Sequence, residues 1–302
     1  MGVGMDEDGK AAGSDSPHLD EGEQSQAAQH SGLRPLVIHE IIREEGEDEL
    51  ERSNGALTLS GFAAGLSMGF SFLTEALIRA DLPASKWRHL IASFGYSVGF
   101  IIAVLGRQQL FTESTLTAIL PLLTRRNGET ALAVGRLWAI VLVMNLVGTW
   151  AFAALLLVHG VFSDAVVDSL GVIAREAIHD AFAATFIRAM FAGWLIALMV
   201  WILPSARSAR LLTVLLITYV VAIAKLSHIV AGSAEAAYAV LTGTASFGQY
   251  LTGFLAPTLL GNIVGGVALV ALLNHGTVAE EIQDGIDERG GRKAEGGTVR
   301  EG

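Results

Sequence analysis

Two short polar stretches interrupt otherwise apolar sequence, and they hold the residues best suited to chemistry. RQQLFTEST (107–115) sets Arg107, Thr112, Glu113, Ser114 and Thr115 around the apolar pair Leu110 and Phe111. AKLSHIVAG (224–232) places Lys225 and His228 inside a run that is apolar from Leu211 to Ala224 and again from Ile229. Hydroxyls can replace the lost hydration of a small ion, and apolar rings can form a narrow dry constriction. His228 is the side chain that can trade a proton at neutral pH without a shifted pKa. If the two stretches meet, Thr112 can hydrogen-bond the His228 ring. Plainer readings stand beside these: hydroxyl clusters glue membrane helices together, a membrane histidine can be a structural hydrogen-bonder, and Phe111 can simply pack. Other chemistries lack their residues. There is no cysteine, hence no disulfide, thiolate metal site or thiol nucleophile. Neither HExxH nor CxxC occurs, and His159, His179, His228 and His275 form no i,i+4 ligand pair. An intramembrane enzyme is therefore not expected, and neither is a metal, a cofactor or a nucleic-acid partner.

The elements that must position these residues are set by composition. Of 302 residues, 52% are hydrophobic and 17% charged, which marks a membrane protein rather than two soluble domains. Residues 1–51 hold 14 acids and 3 bases, and residues 276–302 hold 7 and 4. The net charge of −10 thus belongs to two tails, because residues 52–275 carry 9 acids and 13 bases. The organisation expected is an acidic, mostly disordered tail (1–52), a six-span domain (53–276) and a polar tail (277–302). Within the first tail, apolar Leu36, Val37, Ile38, Ile41 and Ile42 allow a surface helix over 36–50. The first 30 residues lack the basic and apolar regions of a signal peptide, so none is expected.

Six apolar segments each approach the roughly 20 residues that span a bilayer: Gly55–Ala80 (capped by Ser53 or Asn54), His89–Leu123, Leu137–His159, Ala183–Leu203, Leu211–Thr242 and Leu251–His275. The second and fifth are overlong and carry the two polar stretches, while 161–182 reads as an interfacial linker. Ten Lys/Arg flank one side, including Arg125, Arg136 and Arg210, against Arg79, Lys86, Arg88 and Arg175 on the other. The positive-inside rule then puts both termini in the cytoplasm. The spans divide three plus three with the middle one broken in each half, so the halves are expected to be inverted relative to each other. Broken spans at matching places point to a transport site. Non-helical backbone at membrane depth survives only where it is buried or lines a water-filled cavity, and half-helix N-termini attract anions.

These residues carry a resemblance to a known family. RQQLFTESTLTAILPLL looks like the first-break signature of the formate/nitrite transporters, with its Leu-Phe-Thr core. AKLSHIVAG resembles their second break with its central histidine, and APTLLGNIVGGVALVALLNHG is similar to their Asn- and Gly-rich sixth helix. The resemblance covers roughly 55–280. It implies an all-α, aquaporin-like protomer in a bacterial inner membrane, assembled as a homopentamer with one pore per protomer. It also implies passage of weak-acid anions such as formate, nitrite or hydrosulfide, often with a proton. By position, Leu110 and Phe111 match constriction residues, Thr112 the threonine facing the histidine, and His228 that histidine. Gly261, Asn262, Gly265 and Gly266 match the close-packed stretch of the last helix. Ser227 stands where many members have an acid, while a family lysine and asparagine fall near Ala181 and Ala197.

Arg107, Glu113, Arg188 and Lys225 add charges that well-known members mostly lack. Buried membrane charges generally pair. Lys225 is therefore expected to pair with Glu113, across the two breaks, or with Glu235; alternatively it replaces the family lysine and draws anions toward His228. The partners of Arg188 and Glu75 are left open. The competing reading from another class is a transport-derived scaffold or sensor with a closed pore, acting through its acidic tail.

Overall fold

In the computed structural model, residues 32–178 and 181–271 are described, with His18, Asp20, Gly22, Gln24, His275, Gly276, Val278 and Ala279 beside them. The disorder expected before residue 32 and the polar tail beyond Ala279 lie outside the described residues. All regular elements among the described residues are helical.

α1 (Pro35–Glu51) is the surface helix expected over 36–50. It starts with proline at its first position, where the missing N–H costs nothing, and buries Ile38, His39, Ile42 and Gly46 along one stripe. A Cβ at Gly46 would collide with the Thr117 carbonyl, so this helix lies directly on the backbone of the first break's helical continuation. The first span, α2 (Asn54–Asp81), is capped as expected: Ala56 N–H donates to Ser53 Oγ at 3.3 Å. The broken second span consists of α3 (Trp87–Leu105), α4 (Phe111–Thr117) and α5 (Ile119–Arg125). The third, α6 (Gly128–Leu155), begins well before the expected Leu137. Asn127 caps it by accepting from Thr130 N–H at 2.8 Å, so the polar GETALAVGR is drawn into the helix.

The expected interfacial linker holds α7 (Asp164–Glu176), which buries Val166, Ser169, Leu170, Ile173 and Ala174 on one face. α8 (Phe182–Ala206) runs past Pro204 and ends at Arg207, whose φ is 42°. A 3₁₀ turn then leads into α9 (Arg210–Ile223), and α10 (Ala231–Leu241) completes the second broken span. The last span is α11 (Phe247–Gln249), a π-helical segment (Tyr250–Leu255), α12 (Ala256–Ile263) and a second π-helical segment (Val264–Ala271). Ser246 and Gln249 form a reciprocal capping box at its start.

By length and hydropathy five helical runs can cross a membrane, one of them the 42-residue Phe182–Ile223. That run bends back at Arg207, and α8 packs against α9, so it supplies two apolar segments. Leu59, Val143, Phe191, Leu216 and Leu260 expose apolar surface on outward faces, as lipid or a neighbouring subunit requires. α2 and α6 run parallel in close contact: a Cβ at Gly65 would meet the Asn145 carbonyl, and one at Gly148 the Phe62 carbonyl. α8 and the last span repeat this, with Gly193 against Asn262 and Gly265 against the Met190 carbonyl. The two broken spans cross in opposite directions. Ser97 Oγ donates to the Leu215 carbonyl at 3.2 Å, while His89 contacts the Ile223 carbonyl at 3.2 Å.

Candidate functional site

Both breaks are shorter than their polar sequence suggests. The breaks themselves are Gly106–Leu110 and Ala224–Val230, so Thr112–Thr115 belong to a half-helix rather than to the break. Each break turns at a left-handed residue, Arg107 (φ 51°) or Lys225 (φ 50°), a conformation costing non-glycine residues about 1 kcal/mol. Each is pinned by a buried asparagine. Phe111 N–H donates to Asn145 Oδ1 at 2.9 Å, and Asn145 Nδ2 donates to the carbonyls of Gln109 (3.0 Å) and Gly61 (2.8 Å). In the second half, Ile229 N–H donates to Asn262 Oδ1 at 2.8 Å, and Asn262 Nδ2 donates to Ser227 (3.0 Å) and Ala189 (2.8 Å). Asn262 thus does more than pack. Gly265 and Gly266 hold the last span against α8 and Thr115 respectively.

The breaks meet at the centre. Thr112 Oγ1 and His228 Nε2 are 2.8 Å apart, and both residues are buried. Ala231 N–H points at His228 Nδ1 from 3.2 Å. With Nδ1 accepting there, a neutral ring carries its proton on Nε2 and donates it to Thr112 Oγ1. The threonine O–H is then left to donate elsewhere. Phe100 packs edge-on against the imidazole at 4.9 Å between centroids. Leu110 and Phe111 are each 1% exposed, and the Phe111 ring lies edge-on to Trp138 at 5.8 Å.

A cavity opens on each side of this centre. The larger, about 660 Å³, is lined by Glu49, Arg52, Arg107, Gln108, Glu113 and Arg210 among others. The smaller, about 480 Å³, is lined by Glu75, Arg79, Lys225, Ser227, His228 and Glu235 among others. This separation corrects the expected Lys225–Glu113 pair, because the two side chains open onto different cavities. Lys225 Nζ instead contacts Glu176 Oε2 at 2.6 Å, at the end of α7. Glu235 shares the cavity of Lys225, but the ion pair is with Glu176. Arg107 reaches Glu45 of α1 at 3.6 Å. The two elbow cations are thus handled alike, each near an acid on the surface helix of its own half.

Asn145, Gln108 and Glu176 join the site only in the structure. One signal for Asn145 is there to be read: NLVG (145–148) and NIVG (262–265) repeat in the third and sixth spans. A G-x-S-x-G spacing also exists, Gly65–Gly69, but it lies inside α2 with Gly65 and Gly69 packed against α6, so it builds no nucleophile elbow. No group of three metal-ligating side chains occurs among the described residues.

The family model described as Formate/nitrite transporter matches residues 36–276. The chain belongs to the formate/nitrite transporter family. It is 37% identical over 266 residues to the inner membrane protein YfdC of Escherichia coli (strain K12), covering 87% of this chain and 84% of that one. It is 22% identical to the formate channel BtFdhC of Bacillus thuringiensis, over 78% of this chain and 92% of that one. In three dimensions it resembles a pentameric formate channel with formate bound (TM-score 0.64, 21% identity, 73% of this chain and 95% of that one). A second solved structure, an FNT family ion channel, gives a TM-score of 0.61 at 20% identity, over 79% of this chain and 94% of that one. These matches at low identity establish the fold: this formate/nitrite transporter family member is an all-helical membrane protein of that architecture.

Proposed function

We propose that the protein passes small monovalent weak-acid anions of the formate, nitrite or hydrosulfide type, with a proton involved through His228. The observation that carries this reading is the Thr112–His228 hydrogen bond between two cavities, with the second ring nitrogen fixed by Ala231. In this mechanism the His228 proton polarises the Thr112 hydroxyl, whose own O–H meets the substrate as it sheds water. Leu110 and Phe111 keep the passage dry, and an anion in such a place is far costlier than its neutral acid. The broken helices form a 3+3 inverted repeat in this reading, supported by the antiparallel crossing of α3 and α9 and by the matching asparagine contacts. The reading includes a homopentamer in a bacterial inner membrane, supported by the pentameric formate channel and the inner membrane relative, and cytoplasmic termini, supported by the placement of Lys and Arg.

Anion uptake into proteoliposomes between pH 5 and 8, with formate, nitrite, acetate and hydrosulfide, tests this. Uptake should rise as pH falls and should be lost in His228→Phe. Wild-type protein that is a monodisperse oligomer yet moves none of the four would rule the reading out in favour of a closed scaffold.

A further inference from the structure

Glu113 is a half-buried carboxyl that the pathway above leaves unused. It stands in the first turn of α4, directly after Thr112, and lines the larger cavity. Its Oε1 is buried without a hydrogen-bond partner, as is Oε1 of Gln108 on the same cavity. Both side chains line one space, and each brings to its wall an acceptor that its neighbours leave unsatisfied, which suits a ligand that donates a hydrogen bond.

The charges around that space narrow the class. From α1 the cavity is faced by Glu45, Asp48 and Glu49, and Glu49 already receives the Thr117 hydroxyl at 2.6 Å. Arg52 donates to Gln109 at 2.8 Å, Arg107 reaches Glu45, and Arg207 and Arg210 line the side next to α8 and α9. Four acids and four arginines thus line one mouth. A bare cation would meet the guanidinium groups, and a bare anion would meet the carboxylates. A small acid with one exchangeable proton suits both: it shares that proton with a carboxyl oxygen while its other acceptor faces an arginine.

We infer that Glu113 exchanges the proton with the substrate at this mouth, so that the species entering the Leu110–Thr112 stretch is the neutral acid. The inference rests on the weak-acid reading above. An anion A⁻ that reaches Glu113 in its acid form takes the proton from the carboxyl oxygen. One O–H bond breaks, one bond from hydrogen to A forms, and HA moves on. The carboxylate left behind shares the cavity with Arg210 until cavity water returns a proton. In the opposite direction HA gives its proton to the Glu113 carboxylate and leaves as A⁻. Glu113 follows Thr112 in α4, so the handover occurs within one helical turn of the contact with His228.

The test uses full-length wild type, Glu113→Gln and Glu113→Asp in proteoliposomes, with formate as probe and a trapped dye reporting internal pH. Gln keeps the size of the side chain and removes its proton chemistry; Asp keeps the chemistry. Wild type should carry about one proton per formate, with flux rising as pH falls. Glu113→Gln, as a monodisperse oligomer, should lose about tenfold in flux at low pH and show a flattened pH profile, while Glu113→Asp restores part of both. A Gln variant with wild-type flux, or with flux reduced by one factor at every pH, overturns the inference and leaves the weak-acid reading standing. A wild type that moves none of formate, nitrite, acetate or hydrosulfide overturns that reading, and this inference with it.

Discussion

Replacing Asn262 with alanine should unpin the second break and leave the first almost intact. The substitution removes three hydrogen bonds at once, from Ile229 N–H and to the carbonyls of Ser227 and Ala189. The three losses are unequal. Ser227 lines a cavity, so water can take over its carbonyl, and Ala189 sits inside α8, where its carbonyl keeps a helical partner. Ile229 is fully buried, and its N–H has nowhere to turn. An orphaned buried donor costs ~1–3 kcal/mol and each lost neutral bond ~0.5–1.5 kcal/mol, which puts the total at roughly 2–6 kcal/mol. Even the lower end corresponds to about a thirtyfold rise in local opening. Hydrogen exchange followed by mass spectrometry reads this directly. Asn262→Ala should accelerate exchange in peptides covering 225–231, and Asn145→Ala should do so in 107–113. Equal loosening of both breaks in either variant, or none at Ile229, would refute the idea that each asparagine holds its own break.

Further outcomes are expected at other positions. Gly65→Ala and Gly265→Ala each drive a methyl into backbone and should cost ~1–3 kcal/mol or more, seen as a lower melting temperature in detergent, whereas Gly135→Ala, with open space around it, should melt like wild type. A double-mutant cycle between Lys225→Met and Glu176→Gln should give about 0.2–1 kcal/mol of coupling, since the pair is half-exposed, and the same cycle with Glu113→Gln should give none. Burial pushes the Glu49 carboxyl up despite the Thr117 hydroxyl, so its neutral form favours docking of α1; that advantage is present below the free value of 4.5 and lost as pH rises through the raised one. Burial lowers His39 and His275, which touch at 3.1 Å, so their neutral forms favour docking above 6.5 and charging them loosens α1 as pH falls. Limited proteolysis of α1 across pH 4–8 should therefore show Glu49→Gln protected relative to wild type at neutral pH, with only the acid-side loosening remaining.

Much of this arrangement is legible in the residues. The apolar runs mark where helices cross, and the polar interruptions mark both breaks, because a membrane interior tolerates irregular backbone in few places. The Thr112–His228 contact follows once two breaks with those side chains must meet. The partners of the charges are harder to read. Sequence spacing says that Glu113 and Lys225 lie in opposite breaks, but not that each half-helix enters from its own side and opens onto a separate cavity. Glu176 is invisible as a partner until α7 folds down beside the second break. The extent of the breaks is also hidden, since Thr112, Ser114 and Thr115 are polar enough to suggest loop while their hydroxyls point into packed neighbours. Asn145 is legible too, since NLVG (145–148) in the third span matches NIVG (262–265) in the last.

The donors and acceptors around Asn145 have a consequence for how the chain is made. Gly61, Gln109 and Phe111 all precede Asn145, so the ribosome has already delivered every group needed to shape the first break when the third span enters the bilayer. The second half repeats this order, with Ala189, Ser227 and Ile229 all ahead of Asn262. Each half can therefore finish its own irregular backbone during synthesis without waiting for the other. What must wait is the seam: Thr112 needs His228, Thr149 needs Ser233, and Thr115 needs Gly266 to lie against. An error late in the second half should then leave a first half that is correctly bent but has its hydroxyls facing lipid, a state that membrane quality control can recognise.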